Sequence, residues 1–407
     1  MKAMLEGALT GVKVLDLTQV LSGPFCTQFL ADHGADVIKI EPPYADESNK
    51  VGAYPEQDEL KLLTGYYQSV NRNKRGIILD LKREEAREVI RRLVVDADVL
   101  VENYRSGVME KFGLGYEALA DINPRLIYAA VRGFGDPRSG ASPYVDWPAF
   151  DVIAQAMGGI MGITGSQADT PTKVGPGVGD LVPGLMCAFG IAAALYERTR
   201  SGLGQFIDVA MIDGIAALCE RVIHQYSFTG KAPVPQGNGH PLLCPFGFFE
   251  TTDGLIAIAA AHQHLWERLC KEIGRPELAT DERLQSNNGR VQHRHLIDEA
   301  ILEYTRPRTR SEIMATLGGV IPVGPVYTAP DIFDDEHFRR REMLVEIEQP
   351  GMQEPVVVAG VPVKLSRTPG GVRRRAPTFG EHTSAILQEA GYSANEIVQL
   401  RENGVCQ

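Results

Sequence analysis

The residues most suggestive of chemistry are an aspartate set among glycines, Gly175-Pro176-Gly177-Val178-Gly179-Asp180, followed by Pro183 and Gly184. Closely spaced glycines let a ligand and backbone amides approach the carboxylate, and an aspartate at the mouth of a buried, apolar helix is held rigidly. The same residues also suit a plain structural role. Asp180 would then cap the apolar helix behind it, with Pro183 in the first turn. Spacing alone leaves both readings open. Other chemistries fail on their motifs. The first strand-to-helix turn, residues 17–24, has one glycine and no Gly-x-Gly-x-x-Gly, so a backbone cannot approach a dinucleotide pyrophosphate closely. No P-loop and no Gly-x-Ser-x-Gly elbow occurs. His262 and His264, like His293 and His295, fall on predicted helices two residues apart. They point away from each other, and no metal site is expected.

The elements that must position Asp180 alternate in period. Apolar strands are predicted at 12–17, 36–41, 76–81, 98–102 and 126–131. A helix opened by Pro24 runs to about His33, and Gly34 ends it. Ala86, Val89, Ile90, Leu93 and Val94 make one face of another. Strand, helix, strand repeated in this way implies an α/β fold with a doubly wound parallel sheet. A helix over about 183–199 is apolar nearly all round and is expected in the core. It leads through a glycine turn to a strand at 206–210. Pro and Gly around 231–239 mark a linker. A hairpin centred on Asp253-Gly254 and helices near 262–273, 290–304 and 309–318 then read as a small α+β region. A second hairpin and two helices follow.

Bulk properties agree with an ordinary globular protein. The 407 residues are 44% hydrophobic and 23% charged, with a net charge of −11. That charge argues against nucleic acid as a partner. Six cysteines without a Cys-x-x-Cys pair suggest free thiols in a reducing compartment. The first seven residues carry no apolar signal core, and the stretch 181–196 is short for a membrane span. The expectation is a cytoplasmic protein that needs no membrane.

Several segments together add a resemblance. Residues 11–18 (GVKVLDLT), 34–41 (GADVIKIE), 71–76 (NRNKRG), 101–107 (VENYRSG) and 123–127 (NPRLI) resemble the class III coenzyme A transferases, the formyl-CoA transferase and carnitine CoA-transferase-like family. So do Gly179-Asp180, 202–205 (GLGQ) and 380–383 (GEHT). The resemblance spans essentially the whole chain in order. It implies an interlocked homodimer whose large Rossmann-like domain comes from both chain ends, 1–225 and 329–407. A smaller α+β domain with its linkers, 226–328, is inserted between them. It implies that coenzyme A thioesters are substrates, with succinyl-CoA or a similar small acyl-CoA as donor, that no cofactor is permanently bound, and that a small carboxylic acid, such as a dicarboxylate, is the second partner.

The family's catalytic aspartate falls on Asp180. Its coenzyme positions fall at Leu21 and Ser22, at Leu79 and Lys82, at Asn103, Tyr104, Arg105 and Ser106, and at Lys111. A glycine loop that covers the site in relatives matches Gly237, Asn238 and Gly239, whose amides are candidate oxyanion donors. Two departures stand out. Pro42 replaces a basic residue after the second strand, which leaves Lys39 or another base to substitute. Phe150 and Asp151 stand where the formyl-CoA enzyme has a tyrosine and a glutamate, which argues against formyl-CoA and oxalate. The α-methylacyl-CoA racemases of the same fold place a histidine at the position of Phe150. A phenyl ring moves no proton, so isomerisation is disfavoured. A non-catalytic acyl-CoA-binding protein is the third reading, and it would have little use for Asp180.

Overall fold

Short runs of β-branched residues build a sheet, and amphipathic stretches between them cover it. A computed structural model describes residues 7–407. The chain forms β1 (Lys13–Asp16), α1 (Ser22–Asp32), β2 (Asp36–Glu41), α2 (Gly65–Asn71), β3 (Arg75–Ile78), α3 (Glu84–Val95), β4 (Val99–Glu102) and β5 (Ile127–Arg132). Then come α4 (Asp151–Met157), α5 (Val178–Ser201), β6 (Phe206–Ala210), α6 (Met211–Leu218) and α7 (Glu220–Thr229). The six strands make one parallel sheet in the order β3-β2-β1-β4-β5-β6. Every residue of β4 and β5 is buried, as parallel strands covered on both faces require. In α3 the buried Ala86, Val89, Ile90 and Val94 face the sheet, with Glu84 and Glu85 in the first turn and Arg92 in the last. The strands lie within three residues of their expected ends, and β2 and β6 match them.

The chain divides into two compact units. The first takes residues up to Ile160, Val174–Gly230 and Glu336–Gln407. In it, the strand Leu344–Ile347 pairs antiparallel with Val356–Ala359, and two helices, Thr383–Glu389 and Ala394–Glu402, close the chain. Ile386, Leu387, Leu400 and Val405 from this end join Leu15, Ile38, Ile77, Val89 and Leu100 in one core. The second unit takes Met161–Lys173 and Lys231–Asp335. Its hairpin, Phe246–Thr251 with Gly254–Ala259, pairs Thr251 with Gly254, so the turn is Thr252-Asp253, one residue earlier than expected. Trp266, Leu269, Ile297, Ile301 and Ile313 fill its core. His262 and His293 precede the helices Gln263–Glu272 and Arg294–Thr305 instead of lying within them.

α5 departs from expectation twice. It begins at Val178, so Pro183 lies inside the helix and Asp180 in its first turn. It is also not buried all round. Gly179, Pro183, Gly184, Cys187, Ile191 and Ala194 are buried, while Phe189 and Tyr196 are 77% and 69% exposed. By length and composition alone α5 could cross a membrane. Its buried face instead packs on α1. The approach is close: a Cβ on Gly184 would lie 2.5 Å from the carbonyl oxygen of Ser22.

Candidate active site

The sheet order reverses between β1 and β4, so the loops after these strands diverge and open a crevice at their carboxyl ends. A cavity of about 600 Å³ lies there. The loop after β1 lines it with Gln19, Val20, Leu21 and Ser22, and the loop after β4 with Asn103, Tyr104, Arg105 and Ser106. Arg132, Trp147, Phe150 and Asp180 complete the wall. A second hollow of about 230 Å³, lined by Glu41, Pro42, Leu79 and Lys82, shares Tyr44 and Tyr104 with the first.

Buried charges hold the β1 loop. Asp16, fully buried, accepts hydrogen bonds from the hydroxyls of Thr18 and Thr27 and pairs with Lys74 at 2.9 Å. Burial would raise its carboxyl, but Lys74 and Lys39 outweigh that and hold it below the ordinary value. Asp46 pairs with Lys39 at 2.9 Å and accepts from the Val20 amide. Burial opposes its ionisation, yet Lys39 takes it down to about 2. Asn103 accepts from the Gln19 amide at 2.9 Å and donates to the Gln19 carbonyl at 2.8 Å. Between these anchors Val20 sits at φ 69°, a left-handed conformation costly for a β-branched residue.

Asp180 has the opposite surroundings. It is half-buried, and its carboxylate accepts no hydrogen bond from the described residues. The capping role therefore does not hold: Gly177 occupies the cap position, and no side chain caps α5. Burial first, and then the charge of Asp151, raise the Asp180 carboxyl to about 7. Asp151 opens α4 and accepts the Gly179 amide at 2.8 Å. Tyr66 on α2 faces the same acids; burial and then Asp180, Asp46 and Asp151 raise its phenol to about 12. Across the cavity, α1 starts without a capping side chain, and the Ser22 hydroxyl is buried with no hydrogen-bond partner among the described residues.

Of the residues singled out from sequence, Leu21, Ser22, Asn103, Tyr104, Arg105, Ser106, Phe150 and Asp180 meet around one cavity. Leu79 and Lys82 line the adjoining hollow. Lys39 must be corrected. It is fully buried, donating to Asp46 and to the Thr18 carbonyl, and cannot replace the base missing at Pro42. Asn103 reaches the cavity wall, but its amide is engaged with Gln19. Lys111, exposed on the short helix Val108–Lys111, lines neither hollow. Gly237, Asn238 and Gly239 belong to the second unit, where Asn238 and Gly239 line a hollow with His240, Phe248 and Arg294. Tyr66 and Arg132 went unnoticed in the sequence. Arg132 is bound by the buried Glu102 and Asp136. No cluster of three His, Cys, Asp or Glu suited to a metal occurs among the described residues.

A parallel sheet with a cavity at its switch point, and in the cavity wall a carboxylate that accepts no hydrogen bond from the described residues, is the arrangement of an enzyme site. The chain belongs to CoA-transferase family III, whose model matches residues 9–383, and is an enzyme of that class. A succinyl-CoA:mesaconate CoA-transferase of Haloarcula hispanica is 47% identical over 388 residues, covering 95% of this chain and 97% of the relative. A succinate–glutarate CoA-transferase of Agrobacterium fabrum is 36% identical over 387 residues, covering 94% and 95%. The crystal structure of a CAIB/BAIF family protein from Brucella suis superposes with a TM-score of 0.83 at 35% identity, covering 95% of this chain and 100% of that one.

Proposed function

We propose that this chain moves coenzyme A from succinyl-CoA to a second small carboxylic acid, with Asp180 as the covalent carrier. The observation that carries this reading is the Asp180 carboxylate, raised to about 7 and unpaired in the wall of the crevice. Near neutral pH it is a desolvated, partly ionised nucleophile. It attacks the thioester carbonyl and expels the CoA thiolate, forming an acyl-aspartyl anhydride. The thiolate then attacks the aspartyl carbonyl and releases succinate, which leaves an aspartyl-CoA thioester. The acceptor carboxylate attacks that thioester, and the released thiolate takes the new acyl group and frees Asp180. Each stage holds an activated acyl group, so no ATP is consumed.

The Ser22 hydroxyl and the uncapped amides that open α1 are the donors for the tetrahedral oxyanions. Arg105 lines the cavity and has no acid partner among the described residues, whereas Arg132 is neutralised by Glu102 and Asp136. Lys82 and Arg105 therefore supply charge for the phosphates of the coenzyme or for a second carboxylate. Succinyl-CoA as donor rests on the names of the two relatives described above. The reading includes a cytoplasmic homodimer that binds neither membrane nor nucleic acid and has no permanent cofactor. The exposed Phe189, Tyr196 and Phe228 offer an apolar surface for a second copy.

Mass spectrometry of the protein after incubation with succinyl-CoA and hydroxylamine tests the carrier. A hydroxamate on the peptide holding Asp180 is expected. An active protein that leaves Asp180 unmarked sinks the reading.

A further inference from the structure

Gln155 is fully buried on α4, one turn after Asp151. Its Nε2 donates to both carboxylate oxygens of Asp151, at 2.9 and 3.0 Å, and reaches the Pro176 carbonyl at 3.4 Å. Its Oε1 accepts the Val174 amide at 3.0 Å. The acceptors on one side and the N–H on the other leave a single sensible orientation for the amide. Asp151 in turn takes the Gly179 amide at 2.8 Å. The glycine-rich segment is thus fastened at Val174, Pro176 and Gly179 to one two-residue bracket. The fit is tight as well as polar: a Cβ on Gly179 would lie 2.5 Å from the Asp151 carbonyl oxygen and 3.0 Å from Ala154. The next residue is Asp180.

We propose that Gln155 is a positioning residue for the transfer reaction, aiming the Asp180 carboxylate through Asp151 and the backbone of residues 174–179 without touching substrate. The inference rests on Asp180 being the carrier. A carboxylate displaced by an ångström loses much of its proximity advantage, and the Asp180 carboxylate accepts no hydrogen bond from the described residues to hold it. Its orientation must therefore come from the start of α5, which the bracket fixes. The titratable groups facing Asp180 are Asp151 from α4 and Tyr66 from α2.

Two substitutions test this. Gln155→Met keeps length and apolar volume but removes all four polar contacts. The expected result is a kcat lower by about 10–100-fold with the KM for acyl-CoA within about twofold, and a correspondingly slower marking of Asp180 by hydroxylamine. Gln155→Glu places two carboxyls side by side, which can share one proton only while one of them is protonated. Its pH–rate profile should gain a falling alkaline limb that neither the native enzyme nor Gln155→Met shows. An unchanged kcat in a folded Gln155→Met, or a Gln155→Glu profile of native shape, overturns the inference. Should Gln155→Met fold poorly by thermal melting, the profile of Gln155→Glu decides alone. Native enzyme run alongside separates the two ideas: no mark on native Asp180 removes the carrier itself, whereas equal marking rates in native and Gln155→Met remove only the role of Gln155.

Discussion

Asp16 and Asp180 both lie beside the crevice and both lose water on folding, yet their chemistry diverges. Asp16 is locked by Lys74 and two threonine hydroxyls and ionises more readily than a free aspartate. Asp180 has no cation beside it among the described residues, and burial and then the charge of Asp151 raise its carboxyl to about 7. Burial acts the same way on each; the partners decide. A buried carboxylate with cations around it becomes scaffold, whereas one left unpaired at a helix mouth keeps its lone pairs for substrate. The first kind here holds still the loop that the second kind faces.

The largest effect should come from removing the proposed carrier. Asp180→Ala is expected to lower CoA transfer by about four orders of magnitude, measured by chromatographic separation of the CoA thioesters, with folding intact. Activity near the native level would collapse the contrast. Next comes the scaffold acid. Lys74→Met leaves Asp16 buried without its nearest cation and should cost about 3–5 kcal/mol of stability in urea unfolding. A loss below about 1 kcal/mol would mean that Lys39 alone suffices.

The smallest effect sharpens the comparison through pH. A carboxyl raised on folding favours the folded state at low pH, and that advantage disappears as pH rises through about 7. Asp180→Asn removes this liability, so it should stabilise the protein by up to about 3 kcal/mol at pH 8 and by almost nothing at pH 4. Melting curves at the two pH values check this. If Asp180 is the carrier, native activity should fall as pH drops below about 7, because its carboxyl becomes protonated.

The sheet was legible because parallel strands announce themselves as short apolar runs, and 126–131 became β5 with a shift of one residue. The start of α5 was not, because Pro183 reads as a first-turn residue although here it lies within the helix. Lys39 was misread for a tertiary reason. Its strand position suggested a ligand contact, and nothing in the sequence says that Asp46 folds back onto it. Tyr66 carries no motif at all. Gln155 did leave a trace, since Asp151 and Gln155 are four residues apart and meet on one helix face. The stretch Met161–Lys173 joins the second unit without any change in composition to mark it.

The crossing of α1 and α5 at Gly184 has a consequence for engineering. With room there for a hydrogen but not for a methyl group, the two helices form one interlocking part. Exchanging acid specificity between relatives by transplanting loops should therefore succeed only when α1 and α5 travel together; a chimera that takes one helix from each parent would inherit a mismatch one helical turn from Asp180.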